Sequence, residues 1–446
     1  MRAAYICGIA SLISIGHASA MGLMDAYEEA YQNDPTFRSA VHERDAGEQN
    51  LAMGRSRLLP NISLSYAQNR NLLNITTTTS QQGSFSQQQV YNGKVTTLQM
   101  RQPIINLGSY AGYRQGQAQA DYSDAQFSSH AQDLVLRVVQ AYTDVLNAAD
   151  QLDLAKAQLS AYEEEMHVNE IKLQKGEGTR TDVLETQSKY ALVEAQVIEA
   201  QDQLDAMKRT LSGIVGKDVG ELNPLSASFK PLQLNPEDFN DWKTIAISKN
   251  QDLKSQRYAI EASRQEVNKN RAGHAPQLDL VASISRNNDG SIYTFNQDMY
   301  VRSAGIELNV PLFAGGYVNA ATRQASANFE RAQSDLDDKT NKLMVDLFKQ
   351  YHAVRSSTAR IEALEKAVEA ARLLTEATRM SIKGGERINL DLLNAQAQYY
   401  QARRDLAKAR YDYINSYLHL NFDAGTLDPD SLRMVAGYFI PGMSVQ

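Results

Sequence analysis

One motif occurs twice at a fixed offset. Gly176-Glu177-x4-Asp182-Val183-Leu184-x2-Gln187 returns 209 residues later as Gly385-Glu386-x4-Asp391-Leu392-Leu393-x2-Gln396. No proline lies between Pro103 and Pro224, or between Pro311 and Pro429, so the glycine motif is the strong helix breaker deep within each segment. The pattern predicts a duplicated helical hairpin with a glycine tip. The duplication extends outward. Tyr142-x2-Val145 pairs with Tyr351-x2-Val354, Pro103-Ile104-Ile105-Asn106-x-Gly108 with Pro311-Leu312-Phe313-Ala314-x-Gly316, and Leu59-Pro60-x-Ile62-x-Leu64 with Ala275-Pro276-x-Leu278-x-Leu280. We therefore expect repeats at 21–220 and 246–424. An irregular connector at 221–245 carries Pro224, Pro231, Pro236 and Trp242, and a C-terminal tail covers 425–446.

Helical character is strongest between Gly116 and Gly176, a stretch of 59 residues without glycine or proline. Leu134, Val138, Ala141, Val145, Ala148, Leu152, Ala155, Leu159, Tyr162 and Met166 keep a strict 4-3 spacing, the seam of a coiled coil. Shorter helices are expected at 179–212 and 36–59, stacked end to end against the long one. Four segments switch to period two. Ile62, Leu64 and Tyr66 alternate with polar neighbours, as do Leu98 and Met100, then Leu278, Leu280, Ala282 and Ile284, then Ile306, Leu308 and Val310. Polar loops are expected at 76–89 and 287–297, with Tyr293, Phe295 and Tyr300 near the second. Alternating strands, aromatic borders and polar loops are the signature of a membrane β-barrel.

The termini and charge narrow the setting. Arg2, the apolar run from Ile6 to Ile15 and Ala18-Ser19-Ala20 predict a signal peptide at 1–20, which removes Cys7, the sole cysteine. Nothing beyond it offers the 18 or more apolar residues of a transmembrane helix. A net charge of −7 disfavours a nucleic-acid partner. Four strands cannot close a barrel, and open edges in lipid cost several kcal/mol per unpaired backbone group, so several chains must share one. A dimer gives about eight strands and a trimer about twelve; an eight-stranded barrel is filled by its own side chains, and a conduit favours the trimer.

These residues resemble the TolC family of Gram-negative outer-membrane channel proteins. The resemblance runs from Asn33-Asp34-Pro35, through the two proline-to-glycine strand–helix junctions, to Leu427-Asp428-Pro429. It implies an α+β membrane protein: a homotrimer with a 12-stranded outer-membrane β-barrel, four strands per chain, continued by a periplasmic barrel of coiled-coil hairpins with an equatorial collar. It further implies that the tunnel closes at the hairpin tips. Asp391 then lines the periplasmic aperture with Asn394 one turn on, where a second acidic ring is expected in the family. Arg387 is the clasp reaching Thr181 and Asp182 on the neighbouring hairpin. Gly176, Glu177, Gly178, Gly384, Gly385 and Glu386 form tips that contact an adaptor or transporter. The whole chain is most similar to members serving type I secretion of proteases or lipases, with an inner-membrane ABC transporter, a periplasmic adaptor (membrane fusion) protein and outer-membrane lipid as partners. The alternative is a drug-efflux channel working with a proton-driven pump, and a further one is a periplasmic structural coiled coil.

Local alternatives exist for the tip residues. Thr179-x-x-Asp182 fits a capping box, and Asn389 fits a cap for the matching helix. Glu164-x-x-His167 has the spacing of a di-iron ligand pair but lacks a second such pair. His42, His130, His274, His352 and His419 show no zinc spacing, and neither a Walker loop nor a nucleophile elbow is present. No enzyme activity, cofactor or metal is expected.

Overall fold

The computed structural model describes residues 20–79, 83–291 and 294–440. Residues 1–19 of the expected signal peptide, with Cys7, as well as Tyr293 and the last six residues of the tail, lie outside the described residues. The order of elements is α1 (Leu23–Asn33), α2 (Pro35–Ser56), β1 (Asn61–Thr79), β2 (Gly83–Ile105), α3 (Leu107–Lys175), α4 (Arg180–Val215), α5 (Phe239–Lys249), α6 (Gln251–Arg271), β3 (Gln277–Ser291), β4 (Thr294–Asn309), α7 (Tyr317–Lys383), α8 (Asn389–Ala424) and α9 (Pro429–Ala436). Two compact units divide the chain, each drawing on both repeats: 41–128 with 251–341, and 1–40 with 129–250 and 342–446.

The first unit holds the sheet. Its order is β1-β2-β3-β4, antiparallel throughout, so β1 and β4 are edges with one unpaired side each. Register separates the two faces. Ile62 lies opposite Met100, which lies opposite Ala282 and then Ala304; Leu64, Leu98 and Ile284 form a second row that ends on Arg302 of β4, and Leu280 faces Ile306. The other face carries Ser63, Gln99, Ser283 and Ser303 in one row. Next to it, Arg101 bridges Asp279 at 2.7 Å and Glu307 at 2.9 Å. One side of the sheet is thus apolar and the other polar and charged, the division a strand has when lipid lies on one side and water on the other.

The expected loops at 76–89 and 287–297 are a correction. β1 and β2 pair without interruption out to Thr79 opposite Gly83, and β3 and β4 continue to Ser291 opposite Thr294. Loss of apolar alternation here is not loss of strand. Beyond the lipid a strand needs no apolar face, and β-branched residues such as Thr76 to Thr78 favour extended backbone. Side chains support the pairing, for example Thr78 Oγ1 with Ser84 Oγ at 3.0 Å.

In the same unit α2 lies along the first part of α3. Gly116, expected to mark the start of the long helix, is instead inside it, and α3 begins at Leu107. The glycine serves close approach: a Cβ there would sit 2.3 Å from the Asn50 carbonyl oxygen. Side-chain absence outweighs the propensity cost of about 1 kcal/mol.

The second unit contains the tip-side parts of the long helices. Leu134, Val138, Val145, Leu152 and Tyr162 of the 4-3 stripe are all buried, so the seam is a core. Each such aliphatic contributes about 1.5–3 kcal/mol. Gly216 ends α4 at φ 80°, and the Val215 carbonyl accepts from Asn33 Nδ2 at 3.1 Å. The last turn of α4 therefore meets the C-terminal end of α1. The connector and tail pair through Leu225 opposite Phe439, and the Ile440 amide donates to the Pro224 carbonyl at 3.1 Å.

The repeated tyrosines perform one task twice. Tyr142, fully buried, donates from its hydroxyl to the carbonyls of Met21 at 2.9 Å and Asn223 at 3.1 Å. Tyr351 donates to the Glu237 carbonyl at 2.6 Å. Each ties its long helix to the connector. Tyr142→Phe and Tyr351→Phe should each lower the unfolding free energy in detergent by about 1–2 kcal/mol, because a partnered buried carbonyl is left without its donor. Urea unfolding midpoints equal to wild type in both would show that the hydroxyls are dispensable.

Candidate gate at the hairpin tips

Both long helices stop by the same device. The amides of Gly176 and Glu177 donate to Leu173 and Lys172 carbonyls at 3.1 and 2.9 Å, and those of Gly385 and Glu386 donate to Ile382 and Ser381 at 3.0 Å each. This nested pair of bonds needs a left-handed residue, supplied by Gly176 at φ 74° and Gly385 at φ 78°. Glu177, Gly384 and Glu386 are exposed, and Gly178 is half-buried against Lys172. The tip motif is thus a chain reversal whose charged residues face outward.

The helices that leave the tips begin differently. Thr179 caps α4: its Oγ1 accepts the Asp182 amide at 3.1 Å, while the Asp182 carboxylate accepts from the Thr179 amide at 3.0 Å and hydroxyl at 2.6 Å. Both bonds reach Oδ2 of Asp182. At the second tip the expected cap is a correction. The N-cap is Ile388, which offers no side-chain bond, and Asn389 is the first helical residue and points inward. Burial against the first hairpin gives its amide better partners than its own helix end.

The remaining gate candidates are at the surface. Arg387 is exposed and pairs with no carboxylate among the described residues; Thr181 and Asn394 are exposed and Asp391 half-buried. Asp391 and Asn394, three apart on α8, share one side of the helix while Leu392, Leu393 and Gln396 are buried.

What sequence reading missed is the polar interior just behind the tips. Asn169 of α3, Thr186 of α4 and Asn389 of α8 are buried together. Asn169 Nδ2 donates to Thr186 Oγ1 at 3.0 Å and to Asn389 Oδ1 at 3.1 Å, and Asn389 Nδ2 donates to Thr186 Oγ1 at 3.1 Å. The Thr186 hydroxyl passes its own proton to the Asp182 carbonyl at 2.8 Å. The signal was present: extending the stripe from Tyr162 and Met166 by one step lands on Asn169. Farther from the tips Tyr162, Val193 and Leu393 form an apolar cluster, and Tyr162 donates to the Leu393 carbonyl at 3.2 Å. Beyond it Gln158 accepts from Arg404 at 3.1 Å, and Asp150 accepts from Tyr411 at 2.8 Å. Side chains therefore join α3 to α8 along the unit.

Several buried groups there are not paired. Thr378 Oγ1 and Gln396 Oε1 have no hydrogen-bond partner. Burial pushes the Glu165 carboxyl above the usual carboxylate range, against the pull of Lys172 and Arg379. A raised folded value means that the folded state binds this proton more tightly. Stability from Glu165 is then full at low pH and is lost as pH rises through the ordinary carboxylate value toward the raised one. Glu165→Gln should therefore raise the melting temperature at pH 7.5, with the gain vanishing toward pH 4; equal melting temperatures at both pH values would contradict the burial penalty.

Known proteins resemble this chain over most of its length. The sequence model of a family described as outer membrane efflux protein matches residues 26–217 and 243–426, the two repeats in turn. Among relatives, the alkaline protease secretion protein AprF of Pseudomonas aeruginosa is 43% identical over 95% of this chain and 89% of its own length. The proteases secretion protein PrtF of Dickeya chrysanthemi is 36% identical over 98% and 95%, and the outer membrane protein TolC of Escherichia coli 26% over 93% and 84%. Two crystal structures share the fold: VceC of Vibrio cholerae, at a TM-score of 0.77 and 17% identity over 90% of this chain and 96% of that one, and CmeC of Campylobacter jejuni, at 0.78 and 15% over 100% and 98%. With two repeats matched and relatives similar over almost their whole length, the chain belongs to the outer membrane efflux protein family.

Proposed function

We propose that this chain is the outer-membrane channel-tunnel of a tripartite export system, and that its cargo is a secreted protein such as a protease or lipase. The observation that carries the reading is the four-stranded sheet, apolar on one face and charged on the other, with both edges open. Such a sheet is complete in lipid only when copies of the chain close it, and three copies supply about twelve strands around a water-filled lumen. Protein cargo is supported by the similarity to AprF and PrtF, both named for protease secretion. In this reading the chain is not an enzyme. An inner-membrane ABC transporter supplies the energy, and a periplasmic adaptor docks at the tips.

The gate follows from the exposed residues at the tips. Arg387 offers a planar fork of donors with no carboxylate partner among the described residues, and the Asp182 bonds at the α4 cap occupy one carboxylate oxygen only. A neighbouring hairpin that presents Thr181 and Asp182 completes a charge-assisted clasp. Three Asp391 carboxylates around a narrow aperture attract cations, and Asn394 contributes no second ring of charge.

Two measurements test this. Deleting the gene should abolish extracellular protease or lipase while leaving dye retention unchanged; the opposite pattern would assign the chain to small-molecule efflux. Arg387→Ser combined with Asp182→Ala should raise single-channel conductance in planar bilayers about tenfold, the effect of losing a charge-assisted pair of hydrogen bonds from a two-state closure. Conductance equal to wild type would remove the clasp.

A further inference from the structure

Resting on the channel reading above, we infer that Arg70, Lys94, Arg286 and Arg302 form a belt on the lipid side of the sheet, and that this belt binds the phosphate groups of the glycolipid in the outer leaflet of the outer membrane.

The four strands hold five basic residues, and register places them unequally. Arg101 lies on the face of Ser63, Gln99 and Ser283, where Asp279 and Glu307 neutralise it. The other four share the face of Ile62, Leu64, Leu98 and Ile284, one from each strand. Arg70 is diagonal to Lys94 across the Arg70–Asn92 pair, Lys94 to Arg286 across Lys94–Asn288, and Arg286 to Arg302 across Arg286–Tyr300. Diagonal neighbours stand about 7–8 Å apart. All four are exposed. Among the described side chains of the strands, Asp298 is the one carboxylate on this face, and it holds Arg286 through Nε at 3.0 Å and Nη2 at 2.5 Å. Arg70, Lys94 and Arg302 pair with no carboxylate among the described residues. Like charges at this spacing repel, and one carboxylate among four cations leaves a site for an external anion.

Height along the sheet identifies the source of that anion. Counted from the end of each strand that joins a helix, Arg70 stands nine residues beyond Asn61, Lys94 eleven before Ile105, Arg286 nine beyond Gln277 and Arg302 seven before Asn309. The four therefore form a level row, although neighbouring strands are staggered. Nine residues span about 30 Å along a strand. A barrel tilt of about 40° reduces this to about 23 Å, close to the roughly 25 Å height of the apolar band in an outer-membrane barrel. The belt thus sits where the band ends, on the side away from the helices. With the helices in the periplasm, that border belongs to the outer leaflet. Tyr66 and Tyr300 lie in the row of Arg286, as aromatic residues do at a head-group border, and exposed Leu312 and Phe313 follow β4 at the opposite end.

Side-chain chemistry fits a phosphorylated lipid. Arg302 shares a row with Leu64, Leu98 and Ile284, and its guanidinium carbon lies 5.0 Å from the centre of the Tyr300 ring, two residues farther from the helices. That lean carries the charge out of hydrocarbon toward the head groups. Three of the four cations are arginines, whose planar fork matches the oxygens of a phosphate. The row covers three diagonal steps, about 20 Å, which is wider than a single phosphate and wide enough for a head group that carries two. Acyl chains of the same molecule lie against Leu64, Leu98 and Ile284. One lipid therefore meets both the charged and the apolar part of the surface.

The test counts bound lipid by native mass spectrometry. Full-chain protein extracted from the outer membrane is exchanged into phosphatidylcholine micelles that carry a minor share of diphosphoryl lipid A, of lipid A stripped of both phosphates, or of phosphatidylglycerol. Diphosphoryl lipid A should be retained in preference to the other two. Arg70→Gln with Lys94→Gln should lower its retention about twenty-fivefold, about fivefold for each basic residue lost beside an anionic surface. Lys94→Arg, which keeps the charge, should retain it at least as well as wild type. Equal retention by wild type and the double variant would overturn the belt. Equal retention of the stripped lipid would remove phosphate from the recognition, and equal retention of phosphatidylglycerol would overturn the assignment to outer-leaflet glycolipid. Should the double variant fail to reach the outer membrane, Arg302→Gln decides, with a loss of about fivefold expected, and unchanged retention counts against the belt. Conductance in bilayers of phosphatidylcholine alone is measured on the same wild-type preparation. Protein that conducts but retains no lipid A refutes the belt alone, whereas protein that does not conduct refutes the channel reading.

Discussion

Everything in this chain follows from the two open edges of its sheet. β1 and β4 each leave a row of backbone amides and carbonyls without partners inside the chain, and in a bilayer each unpaired group costs several kcal/mol. The apolar row through Leu64, Leu98 and Ile284 commits the same sheet to lipid. In the proposed channel, copies of the chain close this sheet, and closure places the polar face, with Arg101, Asp279 and Glu307, around a shared interior. α3 starts at Leu107, directly after β2 ends at Ile105, and α7 starts at Tyr317 after β4 ends at Asn309.

Duplication supplies pseudo-equivalent hairpins, and small sequence differences then divide the labour between them. The backbone reversals at Gly176 and Gly385 use the same two hydrogen bonds. The helices that follow do not: Thr179 caps α4 through Asp182, whereas Ile388 leaves α8 uncapped and turns Asn389 inward. Tyr142 and Tyr351 retain a common role, since both hold the connector. The two repeats thus share their tyrosine anchors and differ at the helix starts that follow the tips.

Much of this was legible from residue order. The glycine tips, the 4-3 seam, the four strands and the paired tyrosines are periodic or repeated features, and period is what local physical chemistry writes most clearly into a chain. Two kinds of feature were not. Strand outside the lipid loses its apolar alternation, so 76–89 and 287–297 looked like loop although cross-strand pairing continues through Thr76 and Ser86. Gly116 lies inside α3 rather than at its start, because its purpose, the close approach of α2 at Asn50, depends on a partner distant in sequence. The buried polar trio behind the tips fell between these cases. Asn169 continues the seam by position, but its partners Thr186 and Asn389 lie 17 and 220 residues away.

The central claim, that one chain is a fraction of a channel, is tested most directly by the mass of the conducting particle. Native mass spectrometry of detergent-extracted protein, taken from the fraction that conducts in bilayers, should give three chains per particle. A particle of one chain that conducts would contradict the account, because it would show that four strands close a pore without a neighbour.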